Sequence, residues 1–150
     1  MEKKRPKFQQ DTGWFSPDTI DLLPPAPGAY GLLIRLPSNF RGGIGALGQV
    51  SLSPGRYLYL GSAHGSGGMR GRLRRHLSDE KRLHWHVDYL TNAGTLESIF
   101  VFRGGSECDL VDQALKLPDI NVPVVGFGSS DCRRCAAHLL AIPQKGTVLI

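Results

Sequence analysis

The chain is 150 residues long, with 41% hydrophobic and 21% charged residues, a composition suited to one globular domain with a buried core. Eighteen Lys and Arg against 13 Asp and Glu give a net charge of +5, which points toward polyanionic partners. No apolar run is long enough for a transmembrane helix, and "MEKKRPKFQQ" lacks the apolar core of a secretory signal, so membranes and export are set aside.

Residues 1–27 are polar and then proline-rich, ending in "LLPPAPG", and read as an extended N-terminal arm with Trp14, Phe15, Leu22 and Leu23 available for packing. Residues 28–150 read as a single domain whose C-terminal segment contains Cys and His. "AYGLLIRL" (29–36) is a nearly continuous apolar run, as expected of a strand buried on both faces. "PSNFRGGIG" is a turn region, "ALGQVSL" alternates as a second strand, and "RYLYLGSA" (56–63) is a third. The three are expected to form an antiparallel meander.

From Gly68 to Leu77 the pattern turns helical, with Met69, Leu73 and Leu77 on one core-facing stripe. "LHWHVDYLTNAG" reads as a short helix stopped by Gly94, and "TLESIFVFR" as a fourth strand. "SECDLVDQALKL" has the look of a capping box, Ser106 with Asp109, and Pro118 ends that helix. The remainder, through "GFGSSDCRRCAAHLLAI", is loop-rich with a short helix or strand at its end. The expected fold is α+β, a small and mainly antiparallel sheet of three to four strands flanked by helices.

Two nucleotide motifs fail on context. Gly43, Gly45 and Gly48 match G-x-G-x-x-G, but a turn precedes them and a strand follows, so a hairpin turn is expected. "GSAHGSGG" lacks the Lys-Ser/Thr of a phosphate-binding loop, and no nucleotide cofactor is expected.

The helix after that loop carries more chemistry. Arg72 and His76, four residues apart, project from one side next to the core stripe, where a guanidinium can hold a phosphodiester and an imidazole can take a proton from water. A solvated basic face accounts for the same spacing. Glu107 falls in the first turn of its helix, where the dipole alone favours an acid, and where one carboxylate can also hold a hydrated Mg²⁺. His84 and Asp88 share a helical side, which fits a local hydrogen-bonded network or a two-ligand metal site, with Trp85 in the core or stacked on a base. Cys132, Cys135 and His138 form C-x2-C-x2-H, with Cys108 as a conceivable fourth zinc ligand. A single knuckle lacks a second ligand pair, so buried, reduced cysteines capping a helix are expected before zinc, in a cytoplasmic protein.

Taken together, "GAY" (Gly28, Ala29, Tyr30), "YLG" (Tyr59, Leu60, Gly61), Arg72 with His76 in "RLRRH", and Glu107 resemble the GIY-YIG nuclease family in kind and order. "YLYLGSAHGSGGMRGRLRRHL", "HWHVDYL" and "GFGSSDCRRCAAHLL" are more closely similar to the subgroup of that family found alone or fused to endonuclease III. Residues 31–58 separate the two tyrosines, a longer stretch than ordinary members need, which places an insertion beside the substrate surface. The resemblance implies a metal-dependent DNA endonuclease in repair or processing, with Mg²⁺ or Mn²⁺ on Glu107 and the phosphate clamped by Arg72. Tyr30, Tyr59 and His76 would position or deprotonate the attacking water, while Arg70, Arg74, Arg75, His84 and His86 would contact nucleic acid. The alternative it leaves is a nucleic-acid-binding module that keeps the fold without turnover.

Overall fold

The computed structural model describes residues 12–23, 25–65, 67–78, 82–83, 85–129, 132 and 134–144. Among the described residues, seven strands and three α-helices lie in the order β1 (Thr12–Phe15), β2 (Gly28–Leu36), β3 (Phe40–Gly43), β4 (Gln49–Leu52), β5 (Gly55–Ala63), α1 (Gly68–Leu77), α2 (His86–Ala93), β6 (Thr95–Arg103), α3 (Glu107–Leu115) and β7 (Leu139–Ile142). A short 3-10 helix, Pro17–Leu22, follows β1. The class is α+β, with a five-stranded antiparallel sheet in the order β1-β6-β2-β5-β7 and a separate β3-β4 hairpin.

The sheet exceeds three or four strands because short edge segments join it. Thr12–Phe15, within the arm, pairs with β6, placing Trp14 against Phe100 at 5.2 Å between rings and burying Phe15. The end of the chain's loop-rich region supplies β7 on the other edge. The meander does not form. β2 pairs with β5 along its whole length, Gly28 opposite Ala63 through Leu36 opposite Gly55, and the segment between them folds out as the hairpin. β4 alternates between exposed and buried positions, so it serves one face only, whereas β2 and β5 are buried on both and fit the centre of a sheet. Gly43, Gly45 and Gly48 lie in and around the hairpin turn.

Alternation along β2 sorts the core into two layers. Tyr30, Leu32 and Ile34 join Tyr59, Met69, Leu73, Val87 and Leu90 under α1 and α2. Ala29 and Leu33 join Leu58, Leu60, Leu110, Val111 and Ala114 under α3. The helices therefore cover opposite faces of one sheet. Ser106 stands at the N-cap of α3 but makes no side-chain cap, and Asp109 pairs with Arg134 at 2.9 Å. α1 begins at Gly68 (φ +57°), where a Cβ would come within 2.5 Å of the Ala26 and Pro25 carbonyl oxygens, so the helix start lies directly on the end of the arm.

The helices α1 and α2 are joined by a buried ion pair. Asp88 is fully buried, and its carboxylate accepts hydrogen bonds from Arg75 at 3.0 and 2.9 Å and from the Trp85 backbone N–H at 2.8 Å. Arg74 contrasts with it: its pair with Asp21 joins two well-exposed side chains, 55% and 74% accessible. A buried carboxylate stripped of its partner costs about 3–5 kcal/mol, whereas an exposed pair is worth about 0–1 kcal/mol. Arg75→Met is therefore expected to lower the unfolding free energy by about 3 kcal/mol or more, and Arg74→Ala by less than about 1 kcal/mol, in paired denaturant titrations.

Candidate functional site

A cleft of about 460 Å³ opens where β5 runs past the end of β7, lined by Tyr59, Gly61, Arg72, Trp85, Glu107 and His138 among others. The register of β2 and β5 sets its floor, placing Tyr30 directly opposite Gly61. A Cβ at Gly61 would meet the Tyr30 hydroxyl at 2.7 Å, so only glycine leaves that hydroxyl room beneath the cleft.

Arg72 enters from α1 on one face of the sheet, and Glu107 from the first turn of α3 on the other. The Arg72 guanidinium donates to the Ser62 carbonyl at 3.0 Å and lies 4.3 Å from the Trp85 ring centre. Arg75 lies 4.0 Å from the same ring, so one indole braces both cations. His76 is only 2% accessible, and its Nε2 is 2.7 Å from the Tyr30 hydroxyl. Its ring also packs 5.6 Å from Trp85 and 6.4 Å from Tyr59. Tyr30 and His76 thus form a buried layer under the cleft, while Tyr59, Arg72 and Glu107 face it.

Electrostatics keep both tyrosines neutral. Burial pushes the Tyr59 hydroxyl up to about 12, with the Glu107 and Asp88 charges adding to the rise and Arg72 opposing it. Tyr30 is pushed higher still, by burial first and by Tyr59 second. The phenols can donate hydrogen bonds in the cleft but are not phenolate bases at neutral pH.

The remaining residues expected to meet nucleic acid divide. Arg70 donates to the Leu23 carbonyl at 2.6 Å, Arg74 pairs with Asp21, and Arg75 is committed to Asp88. His86 lines the cleft, and its Nδ1 accepts the Gly128 N–H at 2.8 Å. His84 lies outside the described residues. Asp88, read with it as a network or a metal site, accepts bonds from Arg75 and the Trp85 N–H.

The segment preceding β7 closes the cleft. Cys132 and His138 lie in its wall, and Cys108, Cys132, Cys135 and His138 place their ligand atoms within 4.8 Å of one another, a group that could hold a metal. The cysteines cap no helix in this segment, which among the described residues is turns and coil. The Cys135 and Arg134 amides hold the Cys132 thiol down at about 6, while burial pushes Cys108 and Cys135 up. The spacing C-x2-C-x2-H pointed to three of these residues. Cys108 becomes the fourth through tertiary packing of α3 alone.

Fold and site together define a three-layer α+β domain with a cleft that bears one guanidinium and one carboxylate beside a Cys3His group. The family described as "Domain of unknown function DUF123" matches residues 29–149, and the chain belongs to that family. No curated protein and no solved structure matches the chain. Among the described residues, no helix is long and apolar enough to cross a membrane.

His86 sets a pH dependence. Burial lowers its pKa below 6.5, so the unfolded chain takes up a proton there before the folded one does. Its contribution to stability is complete above the unfolded pKa and is lost as pH falls through the folded pKa. A protonated Nδ1 can no longer accept the Gly128 N–H. Stability is expected to fall from pH 7 to pH 5 more steeply in the parent chain than in His86→Asn, whose amide oxygen can still accept that bond, as read by urea unfolding across pH.

Proposed function

We propose that the chain is a metal-dependent endonuclease that hydrolyses phosphodiester bonds in DNA, acting in DNA repair or processing. The observation that carries this reading is the meeting of Arg72 and Glu107 across Tyr59 in one cleft, although they come from helices on opposite faces of the sheet. The order of "GAY", "YLG", Arg72 with His76, and Glu107 supports it through its resemblance to the GIY-YIG nucleases.

Among the described residues lining the cleft, Glu107 is the one carboxylate, and a single carboxylate completed by water suits Mg²⁺ or Mn²⁺. When bound there, the ion supplies Lewis-acid stabilisation of charge on the scissile phosphate and leaving oxygen. The protein's own groups do the rest. Arg72, already oriented by Ser62 and Trp85, clamps the phosphate and offsets charge that builds on it. Tyr59 donates its phenolic hydrogen to a phosphate oxygen or to the attacking water. Tyr30 hands its hydrogen bond to His76, which accepts a proton through Tyr30 without meeting bulk solvent. Arg70 and Arg74 lend charge to the nucleic-acid backbone, Arg74 by exchanging its exposed partner Asp21 for phosphate. Arg75 is kept by Asp88 and contributes to stability instead.

Branched, nicked and single-stranded DNA incubated with Mg²⁺, Mn²⁺ or EDTA tests the proposal. Cleavage with either metal and none in EDTA is expected. Arg72→Ala should slow cleavage by about 10²–10³-fold, and Glu107→Ala should reduce it to background while DNA binding changes little. Salt-sensitive binding with no cleavage of any substrate would favour a non-catalytic binding module.

A further inference from the structure

Cys108 lies in the first turn of α3, Cys132 and Cys135 in the loop that closes the cleft, and His138 immediately before β7. We propose that Cys108, Cys132, Cys135 and His138 together bind one Zn²⁺ in a closed, structural site that fastens the N-terminal turn of α3 to the segment leading into β7.

The geometry is that of a tetrahedral site. Zinc–sulfur bonds of about 2.3 Å at tetrahedral angles put ligand atoms about 3.8 Å apart. Here the Cys108 and Cys132 sulfurs are 3.4 Å apart, the Cys108 sulfur is 4.0 Å from His138 Nε2, and no pair in the group exceeds 4.8 Å. The ligands come from two places in the chain, Cys108 from α3 and the other three from the segment before β7. Cys108 and His138 are buried, at 8% and 6% accessible, so the group is set into the protein and is not a surface cluster.

The surroundings are those of a ligand loop. The Arg134 and Cys135 backbone amides donate to Cys132 Sγ at 3.4 and 3.3 Å, a turn that brings the two C-x2-C sulfurs to one side. The His138 backbone is fixed on both sides: its N–H donates to the Phe127 carbonyl and its carbonyl accepts from Leu60, each at 2.8 Å. The imidazole thus extends from backbone tied to the central strand β5. Three sulfurs and an imidazole are soft donors that select zinc over Mg²⁺, and four protein ligands leave no coordination position for substrate or water. The site therefore differs in kind from the carboxylate at Glu107.

Glu107 precedes Cys108, so metal binding would also fix the wall from which that carboxylate projects. This consequence rests on the proposed endonuclease reading. The metal site does not, and its test reads metal content, which stands or falls separately from cleavage.

The full-length chain, purified in reducing buffer without chelators, is expected to carry about one zinc per molecule by elemental analysis. Replacing zinc with Co²⁺ should give the thiolate-to-cobalt charge-transfer bands and strong visible bands of a tetrahedral centre. The three thiols should resist alkylation until EDTA is added, and EDTA should lower the melting temperature by several degrees. Cys135→Ala should lose most of the zinc, while His138→Cys should retain it with shifted cobalt bands. If Cys135→Ala does not fold, the cobalt spectrum of the unaltered chain decides. Less than about one tenth of an equivalent of zinc after reconstitution, or thiols that alkylate equally with and without zinc, would overturn the proposal. So would a Cys108–Cys132 disulfide as the resting form in reducing buffer.

Discussion

A carboxylate with no exposure to water, Asp88, organises the helical face of this protein. Isolated, it could not stay ionised in the core, and Arg75 with the Trp85 amide makes burial tolerable. The same three bonds fix where α2 starts and hold α1 against it. Trp85 then presents its ring to Arg72 and Arg75, both within 4.3 Å of its centre, so the ion pair in the core determines where the cleft's guanidinium points. Arg72 needs no ligand to be ordered, since Ser62 and Trp85 already hold it. A cation fixed beforehand stabilises charge without reorganising at the moment charge appears.

The cleft forms where the sheet changes character. β7 pairs with β5 from Arg56 to Tyr59, and beyond that point this edge of β5 is continued by the bond from the Leu60 N–H to the His138 carbonyl, while its other edge stays paired with β2. Gly61 and Ser62 are left facing the opening, between the α1 side and the start of α3. Side chains of helices packed on separate core layers can therefore reach one space. The segment before β7 fills the remaining side, with Gly128 held by His86, and Cys132 and His138 in the wall. The Cys3His group thus lies in the element that gives the cleft its shape.

Local patterns made some of this legible. The apolar run of β2, the Met69, Leu73 and Leu77 stripe and the stop at Gly94 are periodic or conformational signals carried by neighbouring residues, and each lies where the sequence puts it. The pairing of β2 with β5 was not legible, because sequence adjacency favoured the intervening hairpin and only burial on both faces distinguishes a central strand. Nor does composition separate a cation that awaits phosphate from one already neutralised. Arg70, Arg74 and Arg75 look alike in "MRGRLRRHL", yet they meet a carbonyl, an exposed acid and a buried acid respectively. Cys108 had no spacing signal at all, since it joins Cys132 and His138 only by long-range packing.

Under the proposed function, the proton's path follows from burial. A phenol held at about 12 or above does not ionise in neutral water, so neither Tyr59 nor Tyr30 can serve as a standing base. His76 has a ring nitrogen that can accept a proton but almost no accessible surface. The two shortcomings are complementary. The Tyr30 hydroxyl lies between His76 Nε2, 2.7 Å away, and Gly61 at the cleft floor, so a proton received at the floor can pass inward as the phenol's own proton moves to the imidazole. Tyr30 stays neutral throughout, as its burial requires, and the imidazole takes the charge where two tyrosine rings and an indole surround it. The missing Cβ at Gly61 belongs to the same arrangement, since any side chain there would displace the hydroxyl that links the cleft to its buried base.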